Sequence, residues 1–252
     1  MLFRRRGAAS AIALMLIAIG SSAGSADEAS DSQTQSYKRP LLIPFPAAAP
    51  YSPQMATLGK MLFFDPRLSG AQNLSCSSCH DPSFGYEVPV PGPIGSANTP
   101  LARKAPTVLN AAFTPIFFWD GRAKDLEEQA QGPLTAPAEM NSKFPDIVSR
   151  LKAIPEYQAW FNRLFPSAGV SKETLLTAIA TYERTVVTGS APFDRWIEGE
   201  ETAISDSAKR GFGLFNGKAG CAACHTGWNF TDNQFHDVGF PDNDMWPRKT
   251  RA

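Results

Sequence analysis

Apolar residues along this chain recur at helical rather than strand spacing. The clearest case is Lys172 to Thr188. Leu175, Leu176, Ile179, Tyr182 and Val186 share one face, and Ser171 offers an N-cap. Met55 to Phe63 predicts another helix, packing Leu58, Met61 and Leu62. Lys124 to Gln131 is rich in good helix formers. Asp146–Ala153 and Glu156–Phe165 predict short helices divided by Pro155, and Ser207–Phe215 predicts one more. No run alternates well enough to predict strands. The loop from Asp81 to Pro106 holds six prolines and little periodicity, so it needs something rigid to lie against. The expected class is mainly α, with long loops.

The N-terminus follows a different pattern. Arg4, Arg5 and Arg6 precede the apolar run Ala11–Ile19, and small residues follow from Gly20 to Ala26. Residues 1–26 therefore predict a secretory signal peptide. Its apolar run falls short of the roughly 20 residues that cross a bilayer, so no membrane span is expected after cleavage. Residues 27–50 are rich in Ser, Ala and Pro. With Pro40, Pro44, Pro46 and Pro50 they predict a flexible arm. The whole chain carries 24 basic and 24 acidic residues. The signal removes three arginines and no acid, which leaves a net charge of −3. That balance provides no basic footprint for nucleic acid.

The chemistry is concentrated in two places. Cys76-Ser77-Ser78-Cys79-His80 and Cys221-Ala222-Ala223-Cys224-His225 both read C-x-x-C-H. Together they use all four cysteines and two of the three histidines. In an exported protein this is the attachment pattern of c-type haem: two thiols bond the vinyl groups and the histidine reaches the iron. Export also suits the attachment, which in bacteria takes place outside the cytoplasm, so a periplasmic location is expected. Three other readings fit less well. A redox C-x-x-C belongs in a βαβ context that is missing here. A zinc site would have to join two distant pairs, each with its own histidine. Two disulfides would leave both histidines unexplained. Gly59-x-x-Leu62-Phe63 precedes the first motif and Gly211-x-x-Leu214-Phe215 the second, while Phe84 and Phe230 follow them. The repetition predicts two related haem units, an N-terminal one over 51–166 and a C-terminal one over 167–252.

With the haems placed, the segment between them resembles the bacterial di-haem cytochrome c peroxidases and the related MauG enzymes. The likeness is carried by Leu58–Arg67, Ala105–Ala111, Phe118-Trp119-Asp120-Gly121-Arg122-Ala123, Leu126–Ala130, Gly132-Pro133 and Pro137–Met140. It continues through Ala208–Gly211 and Phe230-Thr231-Asp232. The resemblance implies two cytochrome c-like haem domains and a peroxide-reducing oxidoreductase. Peroxide would react at the N-terminal haem, and electrons would enter at the C-terminal haem from a small cytochrome c or cupredoxin. A mature charge of −3 is compatible with a basic donor, and the family likeness is compatible with a homodimer. By spacing, the family's peroxidatic residues fall on Trp119, Gln129, Pro133 and Glu139. Glu139 would be the general acid–base, Gln129 a hydrogen-bond partner of peroxide, Pro133 a pocket wall without a donor, and Trp119 an electron conduit. Taken singly, Trp119 reads as a core aromatic, and Glu139 and Gln129 as surface residues. A MauG-like oxidase acting on a protein tryptophan is the alternative activity, and a di-haem electron carrier the non-enzymatic one.

Three departures modify these expectations. The family's second histidine on the first haem is replaced by Ser96, so that haem is expected to be five-coordinate at rest. His236, the remaining histidine, is expected to be structural or to partner a propionate. Lys104 replaces the Asn that helps to hold an inter-haem calcium. An ammonium cannot ligate calcium, so Lys104 is expected to stand in for the ion's charge. Finally, the sequence to Ala252 does not match the family segment that supplies the second haem's sixth ligand, either at Met245 or in Trp246–Arg251. It reads as C-terminally truncated, with the second haem partly uncovered.

Overall fold

A computed structural model describes residues 34–239. The expected signal peptide, Met245 and the terminal segment from Trp246 lie outside these residues. The described chain contains seven α-helices: α1 (Pro53–Phe63), α2 (Leu126–Thr135), α3 (Phe144–Lys152), α4 (Pro155–Leu164), α5 (Lys172–Thr185), α6 (Pro192–Ile197) and α7 (Asp206–Asn216). Short 3-10 turns form at both cysteine motifs, at Cys76–Ser78 and Cys221–Ala223. Among the described residues β-pairing is confined to isolated bridges, and no helix is long and apolar enough to cross a membrane.

Local chemistry fixes where the helices begin. The Ser52 hydroxyl accepts from the Met55 N–H, with Pro53 in the first turn. Asp125 caps α2 through the Glu128 N–H at 2.7 Å. Ser171 caps α5 as expected, and Thr174 returns a hydrogen bond to the Ser171 N–H to close a capping box.

The long helix α5 is the centre of the fold. Leu175, Leu176, Ile179 and Tyr182 are buried, as the sequence pattern predicts, but so are Ala178, Ala180, Thr181, Glu183 and Arg184. A helix enclosed on every side cannot be recognised from one apolar stripe. Helix α1 crosses it at Gly59, where an added Cβ would sit 1.9 Å from the Ala178 carbonyl oxygen. The glycine of the first G-x-x-L-F thus permits backbone-to-backbone contact. The core continues through Leu58, Leu62, Leu134, Ile147, Leu151, Phe161 and Ile179. It therefore joins α1–α4 with α5.

Two helix ends differ from their sequence limits. Helix α2 runs through Pro133 to Thr135, beyond the expected limit at Gln131. Proline removes one helical hydrogen bond, and the following loop compensates. Ala136, Met140 and Ser142 donate N–H groups to the carbonyls of Gly132, Pro133 and Leu134. Helix α5 stops at Thr185 rather than Thr188, because Asn110 Oδ1 captures the Thr188 N–H at 3.0 Å.

The described part of the arm is anchored at Tyr37, which is 1% exposed. Its ring packs against Phe193, Phe212 and Phe230, and its hydroxyl donates to Asn216 Oδ1 at 2.8 Å. Arg39 adds a hydrogen bond to the Thr188 carbonyl. Prolines forbid a helix here but do not forbid docking. Leu41 and Leu42 remain exposed.

Candidate functional site

The two cysteine motifs share one local geometry. In the first, the Cys79 and His80 N–H groups both donate to the Cys76 carbonyl, and in the second Cys224 and His225 do the same to Cys221. Each histidine then turns Nδ1 to a backbone carbonyl at 3.2 Å: His80 to Tyr86 and His225 to Phe230. A carbonyl only accepts, so Nδ1 carries the hydrogen and Nε2 keeps its lone pair for a metal. Both carbonyls come from aromatic residues in the left-handed region, with φ 60° at Tyr86 and 54° at Phe230. Non-glycine residues seldom adopt that conformation, and such strain concentrates at functional sites. Tyr86, rather than the half-exposed Phe84, is therefore the counterpart of Phe230.

The surroundings of the two motifs differ. Cys76, Cys79 and His80 line a cavity of about 880 Å³, in the upper range for cofactor sites. Phe63, from the end of α1, lies beside both His80 and Tyr86. The Tyr86 hydroxyl meets the Tyr182 hydroxyl of α5 at 3.0 Å. The second motif sits among the rings of Tyr37, Phe193, Phe212, Phe215 and Phe230, and exposed Leu214, Phe235 and Val238 belong to the same region. In the second G-x-x-L-F, a Cβ added at Gly211 would meet nothing within 4 Å.

These donor sets fit covalent haem. Burial raises the Cys76 thiol well above its usual range and raises Cys79 as well. Burial also lowers His80 and favours the neutral imidazole that binds iron, even though hydrogen bonds to Tyr86 and Pro106 and the charge of Glu87 oppose the shift. All four cysteines are unpaired.

The cavity also gathers the four residues assigned to peroxide chemistry. Gln129 and Pro133 project from α2, Glu139 from the loop behind it, and Trp119 from the segment before it. Burial raises the Glu139 carboxyl above the ordinary range, while Arg122 opposes the shift. That opposition is weakened because Arg122 is paired with Asp120 at 2.6 Å and lies over the Phe118 ring. Trp119 is 47% exposed, and its indole N–H donates to the Lys104 carbonyl at 2.9 Å. At neighbouring Gly121 an added Cβ would sit 2.8 Å from Phe235, so this loop reaches the region of the second motif. Asn110 forms another link: its Nδ2 donates to Asn229 Oδ1 at 3.2 Å and its backbone N–H to the Val186 carbonyl. The sequence contained Asn110 only as one letter of a shared block.

The two substituted positions and the remaining histidine are also placed. Ser96 is buried, and its N–H donates to the carbonyls of Glu139 and Ala138, which fastens the loop that carries Glu139. Lys104 Nζ pairs with Glu87. An ammonium, which cannot ligate calcium, thus stands where the resemblance implies a calcium-holding Asn. His236 Nε2 meets Asp232 Oδ2 at 2.7 Å, a structural pairing. The buried acid Glu183 also lines the cavity, and sequence reading missed it.

Comparison with known proteins agrees with this architecture. The profile of the family "Di-haem cytochrome c peroxidase" matches residues 53–202. The methylamine utilization protein MauG of Methylorubrum extorquens is 50% identical over 204 residues, covering 81% of this chain and 58% of the relative. The cytochrome c551 peroxidase of Pseudomonas aeruginosa is 42% identical over 203 residues, covering 79% and 58%. The chain thus spans less than two thirds of the length of these relatives. Among solved structures, a MauG-like protein associated with microbial copper homeostasis superposes with a TM-score of 0.69 at 30% identity, over 81% of this chain and 63% of that one. The diheme peroxidase BthA of Burkholderia thailandensis gives 0.62 at 27% identity, over 70% and 50%. The haem-type cysteine turns, the cavity between α2 and α5 and these matches together show that the chain belongs to the di-haem cytochrome c peroxidase family.

Proposed function

We propose that this chain is a periplasmic di-haem peroxidase that reduces hydrogen peroxide to water with electrons from a small redox protein. Cys76 and Cys79 would hold the N-terminal haem covalently, and His80 would offer its free ring nitrogen to the iron. Cys221, Cys224 and His225 would hold the C-terminal haem. When bound, haem supplies the redox-active iron at which peroxide is reduced. The observation that carries this reading is the convergence of Trp119, Gln129, Pro133 and Glu139 on the cavity of the first C-x-x-C-H motif.

The side chains divide the remaining work. Glu139, with its raised pKa, transfers a proton from one peroxide oxygen to the other. The Gln129 amide orients peroxide or water. Pro133 offers no competing N–H to the cavity. Trp119 sits on the loop that joins the cavity to the region of the second motif, a suitable place for an electron conduit. The exposed apolar residues about the second motif suit both a haem and a docking donor. A peroxide titration of the purified holoprotein tests this reading. Reduced donor should be oxidised in proportion to the peroxide consumed, and peroxide loss without donor oxidation refutes it.

One observation favours a MauG-like oxidase acting on a protein tryptophan. The position of the family's dissociable histidine is occupied by Ser96, whose backbone is bonded to the Glu139 loop. The same titration separates the two activities, because a long-lived oxidised state without donor turnover indicates the oxidase.

A further inference from the structure

Glu183 is the second acid of the first cavity, and none of the roles above uses it. Its side chain is buried on α5 and lines the cavity with Cys76, Cys79 and His80. Among the described residues its Oε2 is the one buried side-chain oxygen or nitrogen without a hydrogen-bond partner. The charged and titratable groups around it come from three elements. Arg184, the next residue of α5, directs its two terminal nitrogens to Glu127 of α2 at 2.8 and 2.7 Å, so this cation is already neutralised. Glu127 itself repels a second carboxylate. Cys76 of the haem turn and Tyr182 of α5 also feel the Glu183 charge. A buried carboxylate without a partner is costly to keep ionised. Burial pushes Glu183 up to about 8; Arg184 offsets part of this and Glu127 adds to it.

We propose that Glu183 is the redox-linked proton site of the N-terminal haem, taking up a proton when the iron is reduced and releasing it when the iron is oxidised. This rests on the attachment of haem through Cys76, Cys79 and His80. Where the positive charge of the oxidised iron keeps Glu183 ionised, each reduction combines one electron from the donor protein with one proton from water, and the Glu183 carboxylate becomes a carboxylic acid. Reduction removes a positive charge from the cavity, so Glu183 binds its proton more tightly. By reciprocity the proton raises the haem potential, and the low dielectric strengthens the coupling. Peroxide reduction to water consumes two protons with two electrons, and a loading site within the cavity matches that demand.

The test is a spectroelectrochemical titration of the holoprotein across pH, for the native chain and for Glu183→Gln. One haem couple of the native protein should fall with rising pH by up to about 59 mV per tenfold drop in proton activity. The variant should lose that slope, while its other couple stays in place. Redox-difference infrared spectroscopy of the native protein provides a check that needs no variant. Reduction should produce a carboxylic acid carbonyl band that shifts in deuterium oxide. A flat native slope, a slope that survives in Glu183→Gln, or the absence of that band overturns the proposal. A protein mass without two covalent haems overturns the haem attachment as well, whereas a flat slope with both haems present overturns this inference alone.

Discussion

Gly59→Ala tests the contact on which the first cavity depends. The added Cβ would lie 1.9 Å from the Ala178 carbonyl oxygen, 2.7 Å from its carbon and 2.8 Å from Tyr182 Cβ. Two of these atoms are backbone, so no rotamer change relieves the clash. Ordinary contact begins near 3.4 Å, so α1 and α5 must part by roughly 1.5 Å at the crossing, an overpacking that costs about 3 kcal/mol. Alanine's helix propensity returns about 1 kcal/mol. The net loss of about 2 kcal/mol corresponds to a fall of roughly 4–8 °C in Tm for a domain near 200 residues. The displacement should also reach the haem site, because Tyr182 holds Tyr86, and Tyr86 supplies the carbonyl for His80. Denaturant melts should show a lower midpoint with an unchanged m-value, and the absorption of the first haem should shift. A midpoint equal to or above that of the native protein would refute the backbone-contact account.

Four further outcomes follow from the structure. Glu139→Gln should slow peroxide turnover by about 10²–10⁴-fold. In the native protein, activity should rise with pH through the raised Glu139 pKa, above the ordinary carboxylate range, and steady-state rates of the variant should lack that limb. Glu127→Ala leaves the buried Arg184 unpaired and should destabilise by about 3–5 kcal/mol in urea melts, more than the double variant with Arg184→Met. Tyr157→Phe removes a 2.6 Å hydrogen bond to Asp65 and should cost about 1.5–3 kcal/mol at neutral pH. Although burial opposes it, hydrogen bonds from Arg67 and Tyr157 hold Asp65 below the usual range, so the native advantage should fade as pH falls through its folded pKa. Phe230→Gly should preserve the His225 hydrogen bond, whereas Phe230→Val should cost about 1–3 kcal/mol through left-handed strain and perturb the second haem spectrum.

Some of this architecture could be read directly from residue patterns. The face of α5 was legible because Leu175, Ile179 and Tyr182 repeat at helical spacing above a serine cap. The two C-x-x-C-H turns were legible because cysteine and histidine are scarce and their spacing is fixed. Gly59 appeared as a repeated letter, but its cause is a carbonyl more than a hundred residues away. Tyr86 escaped notice because spacing aligned Phe84 with Phe230, and a left-handed φ has no signature in an aromatic residue. Glu183 carried no signal at all: in Tyr182-Glu183-Arg184 it reads as one of two polar residues on a solvated turn. Only the enclosure of α5 makes it a buried acid. The path of α2 through Pro133 was hidden for a similar reason, because the N–H groups that satisfy its last carbonyls come mostly from the next loop.

The seat of Tyr37 has a consequence for how this polypeptide matures. Tyr37 emerges from the ribosome early, yet its partners Phe193, Phe212, Asn216 and Phe230 are synthesised some 150 or more residues later. A contact of such sequence separation is entropically slow to close. The leading segment must therefore wait, undocked, until the second cysteine turn has been made. Protease sensitivity near Lys38 and Arg39 would report on its docking.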